Sequence, residues 1–173
     1  LNRLTRVPLL GSYVAEPLFL DPPIAGEQLA ADLTRNRLYM LHGLDKLVAV
    51  EPDGRNRVEL ADANQAGLNP SNRLYVAVDE TTGRVFWSEV KSLYLTTIKS
   101  ANPDGTAAVT VTNSVLNQRG LLVDPIRRKL FWVGSDAWQR QELIYRSELD
   151  GSSPEVVYGA PEGMQIRALT IDP

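Results

Sequence analysis

The chain has 173 residues, 43 % of them hydrophobic and 23 % charged, with a net charge of −3. That is the balance of one ordinary folded domain rather than a disordered segment, and it lacks the excess of Lys and Arg that a nucleic-acid surface needs. No run of 18 apolar residues occurs, so no membrane-spanning helix is expected, and the absence of cysteine removes disulfides, thiolate metal sites and Cys nucleophiles.

The most apolar early region, Val7 to Leu20, is broken by Pro8, Gly11, Glu16 and Pro17. It has no charged head and does not read as a signal peptide. Starting at Leu1, the chain is expected to be processed or excised from a longer one. From residue 27 onward a repeat takes over. An apolar run ending in Asp occurs four times, at Leu29–Asp32, Val76–Asp79, Leu121–Asp124 and Leu169–Asp172, and the Asp residues are 47, 45 and 48 positions apart. After each of the first three comes a run with a basic, an aliphatic and an aromatic residue in that order: Arg37-Leu38-Tyr39, Arg84-Val85-Phe86 and Lys129-Leu130-Phe131. A third run follows at Leu47–Val50, Leu95–Ile98 and Leu143–Arg146. Then comes an Asp-Gly pair, at Asp53-Gly54, Asp104-Gly105 and Asp150-Gly151. A fourth, more polar run closes each unit at 57–60, 108–111 and 155–158.

Asp-Gly supplies the positive-φ positions of a hairpin. Runs that are apolar on both sides suit a strand buried on two faces, and polar alternating runs suit an outer edge. Four strands every ~45 residues, graded from buried to wet, predict a β-propeller of four-stranded antiparallel blades. A helical solenoid would need long amphipathic runs, and there are none. The whole blades are expected at 27–60, 74–112 and 119–158. Residues 4–20 read as strands three and four of a preceding blade, and 164–173 as strand one of a following one. Three blades and a fraction cannot close a ring of at least about four. The remaining blades are therefore expected on another chain, in a second copy or in the rest of a precursor.

The blade pattern resembles the YWTD repeat, also called the low-density lipoprotein receptor class B repeat. The match is sharpest from Arg119 through Asp124-Pro125 to Trp132, and again from Ile144 to Ser152. The namesake tetrad stands as Tyr39-Met40-Leu41-His42, Phe86-Trp87-Ser88-Glu89 and Phe131-Trp132-Val133-Gly134. The resemblance implies that the chain is about half of a six-bladed ring, extracellular or at the cell surface, binding other proteins on one face. Lactonase-like propellers, which hold calcium in a central channel, are more distant relatives.

Signals for catalysis are thin. His42 is the only histidine, so a multi-histidine metal site is excluded within this chain, and no nucleophile-elbow pattern is present. The recurrent Asp32, Asp79, Asp124 and Asp172 sit where strands turn, and their regularity points to structure: such carboxylates accept turn N–H groups. Trp87 and Trp132 are expected to pack between blades. Departures from the repeat are where function is expected. They are the loops after strand two: His42 to Lys46, Glu89-Val90-Lys91-Ser92, and Gly134 to Gln141. Trp138, between Asp136 and Arg140, is a candidate interface anchor, since Trp and Arg are enriched at hot spots. Asp136, Arg140, His42, Glu89 and Lys91 would be its polar surround. The favoured reading is a non-enzymatic protein- or glycan-binding module without a required cofactor. A calcium-dependent lactonase-like hydrolase, with channel calcium held by Asn and Asp from different strands, is the alternative. A purely structural segment that completes a ring is the third. Thermal melting under calcium titration separates the first two: stabilisation at millimolar calcium favours the hydrolase, and an unchanged melt counts against it.

Overall fold

The computed structural model describes residues 5–6, 16–17, 28–42, 46–62, 75–92, 94–136 and 141–171. They contain fourteen strands. A short pair, β1 (Thr5–Arg6) and β2 (Glu16–Pro17), runs antiparallel. Three four-stranded antiparallel sheets follow, each in simple chain order. Blade one is β3 (Leu29–Asp32), β4 (Arg37–His42), β5 (Lys46–Val50) and β6 (Val58–Asp62). Blade two is β7 (Val76–Asp79), β8 (Arg84–Ser92), β9 (Leu95–Ala101) and β10 (Val109–Leu116). Blade three is β11 (Gly120–Asp124), β12 (Lys129–Ser135), β13 (Glu142–Glu148) and β14 (Glu155–Gly159). The sequence repeat thus marks the sheets, and the all-β class read from it is the observed one.

Each turn between the first two strands of a blade is built on its Asp. Asp32, Asp79 and Asp124 are 0 %, 0 % and 2 % exposed. The Arg35 N–H donates to Asp32 Oδ1 at 2.9 Å, the Thr81 N–H to Asp79 Oδ1 at 3.2 Å, and the Ile126 and Arg127 N–H groups to Asp124 Oδ1 at 2.9 and 2.8 Å. The second oxygen takes a cation. Arg35 and Arg127, each three residues past their own Asp, reach Oδ2 at 3.0 and 3.1 Å. Blade two has Thr82 at that position, and its hydroxyl donates to Asp79 Oδ2 at 2.5 Å. The missing guanidinium comes from the next blade: Arg128 Nη1 donates to Asp79 Oδ2 at 2.5 Å. Between blades one and two the bridge runs the other way, with Arg35 donating to the carbonyls of Glu80 and Thr81 at 2.9 and 3.4 Å. Buried carboxylates are tolerable only with such donors. Burial alone pushes the Asp79 carboxyl up, but the Thr82 hydroxyl, the Arg128 guanidinium and the Thr81 N–H together hold it below the usual carboxylate range.

The Asp-Gly pairs form a longer loop than a two-residue hairpin. In blade three the Gly151 N–H donates to Glu148 O and the Glu148 N–H to Ser152 O, both at 3.0 Å, and Asp150 Oδ1 accepts the Ser152 N–H at 2.8 Å. Positive φ falls on the glycine and on the residue two further along, Asn56, Ala107 or Ser153, not on the Asp. The fourth strand then carries a bulge in every blade: its register with the third strand skips Leu60, Val111 and Val157. A bulge re-aims the backbone, and here the turn glycine of the next blade sits against it. A Cβ on Gly105 would lie 2.8 Å from Leu60 O, and one on Gly151 would lie 2.0 Å from Val111 O.

The core lies between the sheets. Tyr39, Leu47 and Ala49 of blade one pack with Val76, Val85, Trp87 and Ala101 of blade two. Ala77, Phe86, Ile98 and Val111 of blade two pack with Leu121, Val123, Leu130 and Trp132 of blade three. Trp87 and Trp132 are thus inter-blade residues, as expected. At the ends, residues 4–20 show only the β1–β2 pairing, their remainder lying outside the described residues. The 164–171 segment joins no ladder among the described residues. It is nevertheless anchored: the Ile166 N–H donates to Glu142 Oε2 at 2.5 Å, and Leu169 lies beside Gly120 of β11.

Two measurements check this account. Gly151→Ala should cost more than about 3 kcal/mol, whereas Gly163→Ala, with φ +79 and open space around it, should cost only the left-handed penalty of about 1–2 kcal/mol; equal costs in urea unfolding would contradict the inter-blade contact. Because the folded-state pKa of Asp79 is depressed, its stabilisation is full above the unfolded value of about 4 and is lost as pH falls through the folded one. The stability gap between the wild type and Asp79→Asn should therefore narrow below about pH 4.

Candidate protein-binding face

Antiparallel order puts the hairpins between second and third strands at one end of the sheets, together with the connections between blades. The observed contacts agree. The β8–β9 hairpin closes at Ser92 and Leu95, and the carbonyl of Tyr94 at its tip accepts the N–H of Asn117, from the connection between blades two and three, at 2.8 Å. Asn117 holds φ +47, a conformation Asn tolerates better than most residues, and its Nδ2 donates to Ser135 Oγ at 2.8 Å. Ser135 ends β12, at the base of the loop that carries Trp138. Three segments from two blades are joined in this way.

Further bonds fix the same region. Thr96 Oγ1 donates to Gln118 Oε1 at 2.7 Å, and Gln118 Nε2 donates to Gly120 O at 3.3 Å. Arg119 Nε pairs with Glu142 Oε1 at 2.7 Å. The Asp136 N–H donates to Gln141 O at 3.0 Å, and Gln141 Nε2 donates to Ala160 O at 2.7 Å. Across β12 and β13, Trp132 and Tyr145 stack with ring centroids 5.6 Å apart and planes 7° from parallel. Burial, and secondarily the Asp136 charge, raises the Tyr145 phenol above its ordinary pKa, so Asp136 lies near this stack.

The expected site residues separate. Asp136 is half-buried at the loop base. Trp138 and Arg140 lie outside the described residues. His42 ends β4, its backbone paired with Lys46. Glu89 and Lys91 are not loop residues: β8 continues through them to Ser92. The reason is alternation, with Val90 buried between two polar neighbours, which is a strand signal hidden by its charges. Glu89 pairs with Lys99 on the adjacent strand, while Lys91 is exposed. Asn113 lies in β10, and Gln118 is buried.

Sequence reasoning missed Tyr94, which is 61 % exposed. The available signal was Leu93-Tyr94 in a two-residue connection, where Asn-Gly or Asp-Gly would be ordinary. Among the described residues no three His, Cys, Asp or Glu side chains cluster as a metal site would require.

No protein-family model matches the chain. Among solved structures, a chain in the crystal structure of a nidogen/laminin complex superposes with a TM-score of 0.73 at 20 % identity, over 99 % of this chain and 63 % of that one. The chain has a β-propeller fold. Its resemblance to YWTD propellers holds at the level of fold. This propeller segment spans somewhat less than two thirds of the similar chain.

Asn117→Ala removes both the Ser135 hydrogen bond and the residue type that tolerates φ +47, and should cost about 1–2 kcal/mol; Asn117→Gly keeps the backbone and should cost less, about 1 kcal/mol. The reverse order in chemical denaturation would show that this tie is not what fixes the hairpin to the loop.

Proposed function

We propose that this propeller segment is a non-enzymatic, protein-binding module of the extracellular space or cell surface. Contact would be made by the end of the blades that carries Tyr94 and the 136–141 loop. The observation that supports it best is the chain of bonds from Tyr94 through Asn117 to Ser135, which holds an exposed aromatic on a rigid base near Ser135, three residues before Trp138 in the sequence. Pre-ordered aromatics lose little entropy on binding and are the common anchors of protein interfaces. The superposable structure is, by its title, of a complex between two proteins, which makes laminin a reasonable first probe for this chain. In this reading Trp138 and Tyr94 are anchors, and Asp136, Arg140, Lys91 and His42 give polar contacts at the rim.

Binding to immobilised laminin is the experiment. Tyr94→Ala and Trp138→Ala should each weaken it by more than about 2 kcal/mol, roughly thirtyfold, without lowering Tm. Binding that survives both substitutions unchanged would move the contact off this face.

A further inference from the structure

We propose that the cleft between blades two and three is a binding site for a neutral sugar residue, with Trp132 and Tyr145 as its aromatic wall and Thr112, Asn113 and the Tyr145 hydroxyl as its polar contacts. A cavity of about 460 Å³ lies there, lined by β10 on one side and by the Trp132–Tyr145 stack on the other. Small-molecule sites usually enclose about 300–1,000 Å³. Gly151, in the turn between β13 and β14, also lines it, and antiparallel order puts that turn at the opposite end of the blade from the hairpins between second and third strands. The cleft is therefore separate from the region around Tyr94.

Three local departures from the repeat open this space. Strand register makes Trp87 and Trp132 equivalent, and with them Lys99 and Tyr145, and Glu89 and Gly134. On the side of blade two that faces blade one, Glu89 and Lys99 fill the place with an ion pair. On the corresponding side of blade three, Gly134 brings no side chain, and Tyr145 lies parallel to Trp132. The third departure is in β10. Besides the bulge at Val111, its register with β9 slips again between Thr112 and Val115, whereas β6 and β14 show one bulge each. Bulges re-aim side chains, and Thr112 and Asn113 stand at this second one. The blades are pinned on either side of the gap. Gly151 sits against the Val111 carbonyl, and a Cβ on Gly134 would lie 3.1 Å from Val115 Cγ1.

The chemistry of the walls selects the ligand. Among the described residues no acidic or basic side chain lines the cavity, and the Asp136 charge acts on the nearby Tyr145 phenol, which disfavours an anion. Three polar groups are uncommitted. The Thr112 hydroxyl is buried without a hydrogen-bond partner, a costly state that a ligand oxygen at this wall would relieve. Among the described residues neither the Asn113 amide nor the Tyr145 hydroxyl has a partner. All three groups both donate and accept, as sugar hydroxyls do, and the negative face of an aromatic ring attracts the polarised C–H face of a pyranose. A proline or aromatic side chain of a peptide would use the rings and leave the three polar groups unpaired.

The test is a titration of the 173-residue protein with the methyl glycosides of glucose, galactose and mannose and with N-acetylglucosamine, following the Trp132 indole N–H by NMR. At least one sugar should shift it saturably, with a Kd on the order of 1 mM. Asn113→Ala, at an exposed position, and Tyr145→Phe, which keeps the ring, should each weaken that binding about fivefold without lowering Tm. No saturable shift with any of the four sugars overturns the proposal. So does sugar binding that both substitutions leave unchanged, and so does a proline-rich peptide that shifts Trp132 where the sugars do not.

Discussion

The buried carboxylate at the first turn of each blade is the constraint on which the rest depends. Asp32, Asp79 and Asp124 are removed from water in a chain that has no disulfides to hold its sheets together. Each must collect turn N–H groups and a cation, and collecting them sets the path of the chain. The N–H groups shape the turn into the second strand. The cation is where one blade meets the next, because Arg35 continues forward to blade two while Arg128 comes back from blade three. Thr82 explains the change of direction. It fills the place of the local arginine but carries no charge, so Asp79 takes its charge from its neighbour.

Apolar packing supplies the bulk of the cohesion, and polar geometry supplies the register. The two inter-blade clusters are built from aromatic and branched residues whose transfer from water is favourable but not directional. What prevents one sheet from sliding over the next is the seating of Gly105 on Leu60 and Gly151 on Val111. Each uses a backbone carbonyl turned out by a bulge. The rigid end of the blades follows from the same economy of buried polar groups. Gln118 and Glu142 are buried and satisfied, and their bonds tie the connection between blades two and three to Thr96 of β9 and to Arg119.

Much of this was legible in the sequence because turns are its most local feature. Asp-terminated apolar runs and Asp-Gly pairs are read from a few adjacent residues, and they located all three sheets. The bulges were not legible, since skipping Leu60, Val111 and Val157 depends on what the next blade presses against them. The length of β8 was masked because Glu89 and Lys91 look like a loop unless Val90 is read as one face of an alternation. Arg128 carries no local signal of its role, which lies in the contact with Asp79 across the blades. Tyr94 carries a weaker signal than Trp138, because it stands in a two-residue connection rather than in the longest irregular stretch.

Blades two and three are tied across their first turns by the buried Asp79 carboxylate and the partly exposed Arg128 guanidinium, and a double-mutant cycle on Asp79 and Arg128 tests this most directly. Comparing Asp79→Asn, Arg128→Ala and the double variant by urea unfolding should give a coupling energy of about 1–3 kcal/mol at neutral pH. Additive effects, with coupling below about 0.5 kcal/mol, would mean that the two residues act independently and that blade two is joined to blade three without this pair.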